Sequence, residues 1–361
     1  MKRISFAYFL VILSALSAFT AAASAQSVKF TVAPAPWNAD TFGNIRAVIS
    51  VENADKTAFA RIDWRRRDSN PADKSIIVTT AGGRRVTTVS FGTINREYGE
   101  VYFEPMAGPG IYYVYYLPYA KSGSANYPKD FYPKPADGSG EHSVLVGTEV
   151  AFAKVVEIQS IDAFNSFYPM EVIATAAETG ALVKANGTKD FLVFPEDRMF
   201  PIRMTNDLPQ RWIERGLQTG FSGTARKGEF YAFQLGVFAI KDLKNIRVKF
   251  IDLRSAGGAK IAAADMTCIN TNGVDHRGVK FEKTVDVASR KIQPMWCGAD
   301  VAVNAAAGEY KGTATVTAAG EAPQTIALDM KVVNETAPNG GFNEPEKMTR
   351  LKWLNSTLAQ E

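Results

Sequence analysis

From residue 28 onward, short runs alternate apolar with polar positions, and each run ends at a turn signal. The first such runs lie at 28–32, 45–51, 59–64, 76–80, 87–91, 100–104 and 111–117, and they are rich in Val, Ile, Tyr and Phe. Breaks fall at Pro34-Ala35-Pro36, Asn70-Pro71, Gly82-Gly83, Gly108-Pro109-Gly110 and Pro118. Short strands at this spacing predict an antiparallel sandwich, and no convincing amphipathic helix interrupts them. A Pro/Gly/Ser-rich stretch follows at 122–140, whose tyrosines and prolines predict an ordered, extended loop. Residues 144–161 alternate weakly, as one or two strands. The best helix candidate is 169–185, with Pro169 at its start and Asn186-Gly187 as a stop, although Gly180 interrupts it.

A second strand-rich stretch begins near residue 200. Its runs lie at 230–240, 246–253, 260–263, 265–270, 280–287, 293–297, 309–317 and 326–333. Turn signals sit at Lys227-Gly228, Gly257-Gly258, Asn272-Gly273, Gly308 and Gly320, and no strand-helix-strand alternation appears. The pattern therefore predicts an all-β chain: two antiparallel β-sandwich domains joined by a connector with one short helix. The expected boundaries are 26–148 for the N-terminal sandwich, 149–198 for the connector and 199–336 for the second sandwich. Residues 337–361 read as a linker and the start of a further segment, which makes the chain look unfinished.

The first 25 residues are of another kind. Met1-Lys2-Arg3 is a short positive stretch, residues 4–23 are apolar apart from Ser5, Ser14, Ser17 and Thr20, and Ala23-Ser24-Ala25 is a small-x-small cleavage site. An uncleaved membrane anchor is the alternative, but the serines lower the apolarity and the cleavage site fits. A signal peptide over 1–25 predicts a secreted chain in a periplasmic or extracellular, oxidising space. No later stretch approaches the ~18–20 apolar residues that span a bilayer, so no membrane contact is expected after cleavage.

Composition then removes classes of function. Hydrophobic residues are 46% and charged residues 22% of the 361, which is globular and not disordered. The formal net charge of +4 falls by two once Lys2 and Arg3 leave with the signal peptide, and so small an excess argues against a nucleic-acid partner. Two histidines, His142 and His276, with two cysteines, Cys268 and Cys297, cannot build a zinc cluster of recognisable spacing, so no metal and no cofactor are expected. There is no Gly-x-Ser-x-Gly elbow and no phosphate-cradling glycine loop. His276 falls in a hairpin-like turn, as an exposed residue and not a catalytic base.

Carboxylates are the only plentiful reactive groups. Glycoside hydrolysis needs two of them opposed across a sugar. Glu97, Glu100 and Glu104 belong instead to one strand-like run, and Glu196-Asp197 precede Arg198, so no catalytic residue is assigned. The aromatic run Ile111-Tyr112-Tyr113-Val114-Tyr115-Tyr116-Leu117-Pro118-Tyr119 offers candidates for stacking on sugar rings, with Tyr112 and Tyr116 on one face and Tyr113 and Tyr115 on the other. The bland reading makes one face core and the other a covered contact. Trp64, Tyr112, Tyr113, Tyr115, Tyr116 and Tyr119 are thus the candidate carbohydrate-binding residues. The run Arg61-Ile62-Asp63-Trp64-Arg65-Arg66-Arg67-Asp68 could dock an acidic glycan, although its interleaved aspartates favour an exposed strand end. Cys268 and Cys297, in strand-like segments of one unit and with no competing thiol, are the candidate disulfide.

The stretch from Asn95-Arg96-Glu97-Tyr98-Gly99-Glu100 through Pro118-Tyr119 resembles the N-terminal region of large secreted bacterial proteins related to glycoside hydrolase family 123. The resemblance continues at Phe167-Tyr168-Pro169-Met170-Glu171, Phe194-Pro195-Glu196-Asp197-Arg198, Gly228-Glu229-Phe230-Tyr231, Gly308-Glu309-Tyr310-Lys311-Gly312-Thr313 and Arg350-Leu351-Lys352-Trp353. It implies a β-sandwich region ahead of a (β/α)₈ catalytic barrel, with residues 199–336 as the part like the family's N-terminal domain. The family's chemistry uses an adjacent Asp-Glu pair on the barrel, and that dipeptide does not occur here. The expectation is a non-catalytic accessory region of a secreted glycoside hydrolase. It would support a downstream catalytic barrel and offer a site for glycan. The alternative is a protein-interaction or adhesin-type β-sandwich module without a carbohydrate role.

Overall fold

The structure, a computed structural model, describes residues 28–124, 126–134, 149–275 and 277–341. The signal-peptide reading, His142, His276 and most of the 337–361 segment lie outside them. The chain is all-β. In its first part β1 (Lys29–Val32), a one-turn helix α1 (Ala39–Phe42), β2 (Ile45–Val51), β3 (Thr57–Ile62), β4 (Ile77–Thr80), β5 (Val89–Ile94), β6 (Gly99–Phe103) and β7 (Gly110–Tyr115) follow in order. A hairpin of β8 (Ala120–Ser124) and β9 (Tyr127–Phe131) comes next, then β10 (Val150–Phe152) and β11 (Lys154–Ser160). They build one sheet ordered β1-β11-β2-β7-β4 and a second ordered β10-β3-β6-β5. Alternate residues of both sheets, including Ala47, Ile49, Ala60, Ile62, Val101, Phe103, Tyr112, Val114 and Ile158, fill one cluster between them.

The second part begins after the connector helix α2 (Ala176–Ala185) with β12 (Phe191–Asp197), the short α3 (Gln210–Arg215), β13 (Gly220–Lys227) and β14 (Phe230–Ala239). Next come β15 (Arg247–Phe250), β16 (Leu253–Ser255), β17 (Lys260–Ile261), β18 (Met266–Cys268) and the hairpin of β19 (Asn272–Val274) and β20 (Lys280–Glu282). The long strands β21 (Ile292–Asp300), β22 (Gly308–Thr317) and β23 (Gln324–Thr336) complete the order. One sheet runs β12-β14-β21-β18 and the other β13-β23-β22-β16-β17, again around a shared core.

Three findings differ from the sequence reading. The sheets are not purely antiparallel: β1 pairs with β11, β10 with β3 and β13 with β23 in parallel, each at a sheet edge. The Pro/Gly/Ser-rich stretch read as a loop contains the β8–β9 hairpin, with Pro128 tolerated because the two-stranded ribbon is all edge. The connector helix starts at Ala176 and not at Pro169. Thr175 caps it through the backbone N–H of Glu178, while the Glu178 carboxylate accepts from the Thr175 N–H, forming a capping box.

The connector and the β12–α3 segment together cover the outer face of the β12-β14-β21 sheet. Met170, Ala174, Leu208 and Trp212 pack there against Leu192, Phe194, Phe238 and Ile292. The Trp212 indole stacks on Phe194, with centroids 4.3 Å apart and planes 4° from parallel. A Cβ at position 236 would lie 2.5 Å from that indole, so Gly236 is what lets it lie flat on the sheet. With both faces covered, all ten residues of β14 are buried.

The two cysteines are a correction. They sit directly opposite each other on β18 and β21, yet both are free thiols and not a disulfide. Hydrogen bonding from Cys297 outweighs burial and lowers the Cys268 thiol to about 7, whereas burial pushes Cys297 well above its ordinary value. Replacing Cys297 by Ala should therefore raise the Cys268 pKa towards the usual thiol range. Thiolate absorbance followed against pH in the single-cysteine chain checks this, and an unchanged midpoint would refute the assignment.

Candidate functional site

The site grows from the end of β3. Trp64 tucks its indole beneath Gly99, where a Cβ would lie 2.1 Å from the ring, and donates Nε1–H to the Asn95 carbonyl at 2.8 Å. Arg65 then takes a left-handed backbone, φ 46°, unusual for a residue with a Cβ. It is held there from every side. Its N–H donates to the Glu97 carbonyl at 3.0 Å and its carbonyl accepts from Ile173 N–H at 3.2 Å. Its guanidinium forks onto Glu178 at 2.7 and 2.9 Å. Glu97 in turn accepts the Ala176 N–H at the start of α2, and Arg96 forks onto Asp207 at 2.9 and 2.6 Å. This lattice pins the first sandwich to the connector.

Beside it lies a half-open cavity of about 490 Å³, inside the ~300–1,000 Å³ range of small-ligand clefts. Trp64, Tyr116, Tyr132, Phe167 and Tyr168 supply its aromatic wall, and Arg65, Arg66, Arg67, Asp68, Asn165 and Glu171 its polar groups. Arg66 is only 6% exposed. Its guanidinium lies 5.0 Å from the Trp64 ring and 5.1 Å from Tyr116, and forks onto Asp68 at 2.7 and 2.9 Å. Lys74 reaches the same carboxylate at 2.5 Å. Burial alone would raise the Asp68 carboxyl, but the Arg66 fork and the Lys74 ammonium hold it below the usual carboxylate range. Arg66 Nη1 is buried with no hydrogen-bond partner among the described residues. Burial pushes the Tyr116 hydroxyl well above its ordinary pKa, so it stays a neutral donor at any physiological pH.

The sequence candidates divide sharply here. Trp64, Tyr112, Tyr115 and Tyr116 are buried, so their rings offer no open face for stacking; Trp64 and Tyr116 reach the cavity only as part of its wall. Tyr112 donates to the Gly108 carbonyl at 2.9 Å and packs on Phe103 in the core. Tyr115 is covered by Phe42, stacked at 4.5 Å, and by Trp37 at 5.6 Å. Tyr113 carries the Arg46 guanidinium 3.7 Å above its ring. Tyr119, half-buried, comes within 3.4 Å of the Asn44 amide. The bland reading of the tyrosine run is the one that the packing favours.

Of the carboxylates considered for hydrolysis, Glu97, Glu100, Glu196 and Asp197 are committed to structure, while Glu104 is exposed. Glu196, 1% exposed, accepts from Trp212 Nε1 at 2.8 Å and pairs with Arg215 at 3.0 Å. Asp197 accepts from the Tyr231 hydroxyl at 2.6 Å, and Glu100 accepts the Thr93 N–H at 2.9 Å. No group of three or more metal-binding side chains occurs among the described residues. Sequence reasoning missed Tyr132, Phe167, Tyr168 and Glu171 as cavity residues, since nothing in their spacing links segments so far apart. It also missed a row of rings on the outer face of the β10-β3-β6-β5 sheet, where Phe152, 85% exposed, meets Phe59, which meets Tyr102.

Residues 35–161, the span from just before α1 through the end of β11, match the family described as glycoside hydrolase 123, N-terminal domain. The N-terminal region of this chain is related to glycoside hydrolase family 123. The match lies on the first pair of sheets, whereas the sequence reading had attached the family's N-terminal domain to residues 199–336. A family 123 glycoside hydrolase from Clostridium perfringens, described in terms of glycolipid glycan hydrolysis, is similar at 14% identity over 41% of this chain and 28% of its own, with a TM-score of 0.33. The major subunit of Myf fimbriae from Yersinia enterocolitica is similar at 15% identity over 29% of this chain and 86% of its own, with a TM-score of 0.22. A PapD-like domain of human CEP192 is similar at 14% identity over 32% and 82%, with a TM-score of 0.19. No curated protein matches the sequence.

Proposed function

We propose that this chain is a non-catalytic accessory region of a secreted glycoside hydrolase: a β-sandwich scaffold that supports a catalytic barrel and holds carbohydrate in the cavity beside Arg66. The observation that carries the reading is the family match over residues 35–161. The site fits it as well. A sugar offers hydroxyls to hydrogen-bonding groups and an apolar face to rings, and the Arg66 cavity sets both side by side. Glu196, Asp197 and Glu100 hold the fold together, which leaves none of them free for general acid or base work. Secretion through residues 1–25 belongs to the same proposal.

Two measurements on the purified mature chain test it. Incubation with an aryl N-acetylhexosaminide is expected to release no phenol; turnover abolished by a single Asp or Glu substitution would overturn the non-catalytic assignment. On a glycan array the chain should retain a subset of oligosaccharides, and Tyr132→Ala should weaken that retention. No retention of any glycan would leave the scaffold role alone.

A further inference from the structure

Resting on the reading of the Arg66 cavity as a carbohydrate site, we infer that its ligand is an anionic sugar, one bearing a carboxylate or a sulfate. Two carboxylates line the cavity, Asp68 and Glu171. Each is already held by two cations, Asp68 by Arg66 and Lys74, Glu171 by Arg67 at 3.1 Å and Arg203 at 3.3 Å. Arg65 and Glu178 cancel each other. The remainder is an excess of two positive charges around a concave pocket, which concentrates their field at its opening.

Arg66 is more than nine-tenths buried, and two of its three nitrogens are spent on Asp68 while Nη1 has no partner among the described residues. A buried guanidinium N–H without an acceptor is costly, and the chemistry that satisfies it best is an anionic oxygen. Arg67, with about half of its side chain exposed, stands at the same opening and can turn from Glu171 to a ligand without leaving that carboxylate unpaired, because Arg203 remains on it. Tyr168 is no competitor for the anion, since its hydroxyl already donates to the Met199 carbonyl at 2.6 Å. A neutral sugar could offer Nη1 a hydroxyl oxygen but would leave the positive excess unanswered.

Titration of the full mature chain with three probes, methyl glucuronide, N-acetylgalactosamine 4-sulfate and unmodified N-acetylgalactosamine, separates the outcomes. The proposal expects at least one charged probe to bind about tenfold or more tighter than the neutral one, with the preference shrinking as salt rises. Which of the two charged probes wins distinguishes carboxylate from sulfate. Arg67→Gln, at an exposed position, should reduce the preference with the fold intact, as judged by an unchanged circular dichroism spectrum. Equal affinity for charged and neutral sugars would overturn this inference while leaving the carbohydrate reading in place. No binding of any probe would overturn both.

Discussion

Trp64→Ala should cost the chain about 3–5 kcal/mol of stability, the usual range for removing a large buried aromatic. The indole is 1% exposed, packs against Tyr116 at 4.9 Å and fills the space that Gly99 leaves open. Removing it opens a void between β3 and β6, because Gly99 has no side chain that could move in. The Asn95 carbonyl also loses its Nε1 donor. Arg66 loses one of the two ring faces beneath its guanidinium. Urea unfolding of wild type and variant would show the loss, and a difference below about 1 kcal/mol would mean that the site collapses more readily than its packing allows. Trp64→Phe, which keeps part of the ring but not the donor, should fall between the two. If the cavity binds as proposed, the Ala variant should lose affinity as well as stability, since wall and core are here the same residue.

That double duty explains what could and could not be read in advance. β2 was legible at its observed bounds, Ile45–Val51, because turn residues bracket a β-branched run. The tyrosine run was legible as a strand, and its two faces were assigned correctly, but period-two alternation cannot say which face meets the core and which is covered by something else. Here one face is core, and Trp37, Phe42 and Arg46 cover the other. β12 escaped notice for the opposite reason. The segment Phe191–Asp197 has no alternation at all, since the core lies on one side of it and the connector on the other. Its Pro195 argues against a central strand, and β12 is indeed an edge. The three parallel edge pairs left no trace in the sequence, as each joins segments tens of residues or more apart through backbone alone. The cavity was half legible. The Arg61–Asp68 run drew attention as charge, but its burial and its partners on the 165–172 segment depend on tertiary contacts.

The other large effect should come from Arg198→Met, with an expected loss of about 3–5 kcal/mol because it takes from a buried carboxylate its nearest cation. Glu229 is fully buried. It pairs with Arg198 through one oxygen, while the other accepts the Arg226 N–H at 2.8 Å. The Arg198 guanidinium also covers the Tyr231 ring at 4.5 Å, and the Tyr231 hydroxyl donates to Asp197 at 2.6 Å. One substitution thus touches the end of β12, the start of β14 and the turn before it. Among the described residues the buried carboxylate then keeps one cation, the Arg226 guanidinium 3.8 Å away, which is too long for a hydrogen bond and offsets less of the desolvation cost. Replacing both partners, Arg198→Met with Glu229→Leu, should recover most of the loss, since it removes the buried carboxylate itself. A double variant as unstable as Arg198→Met alone would show that packing around the arginine stem, and not the charge on Glu229, sets the cost.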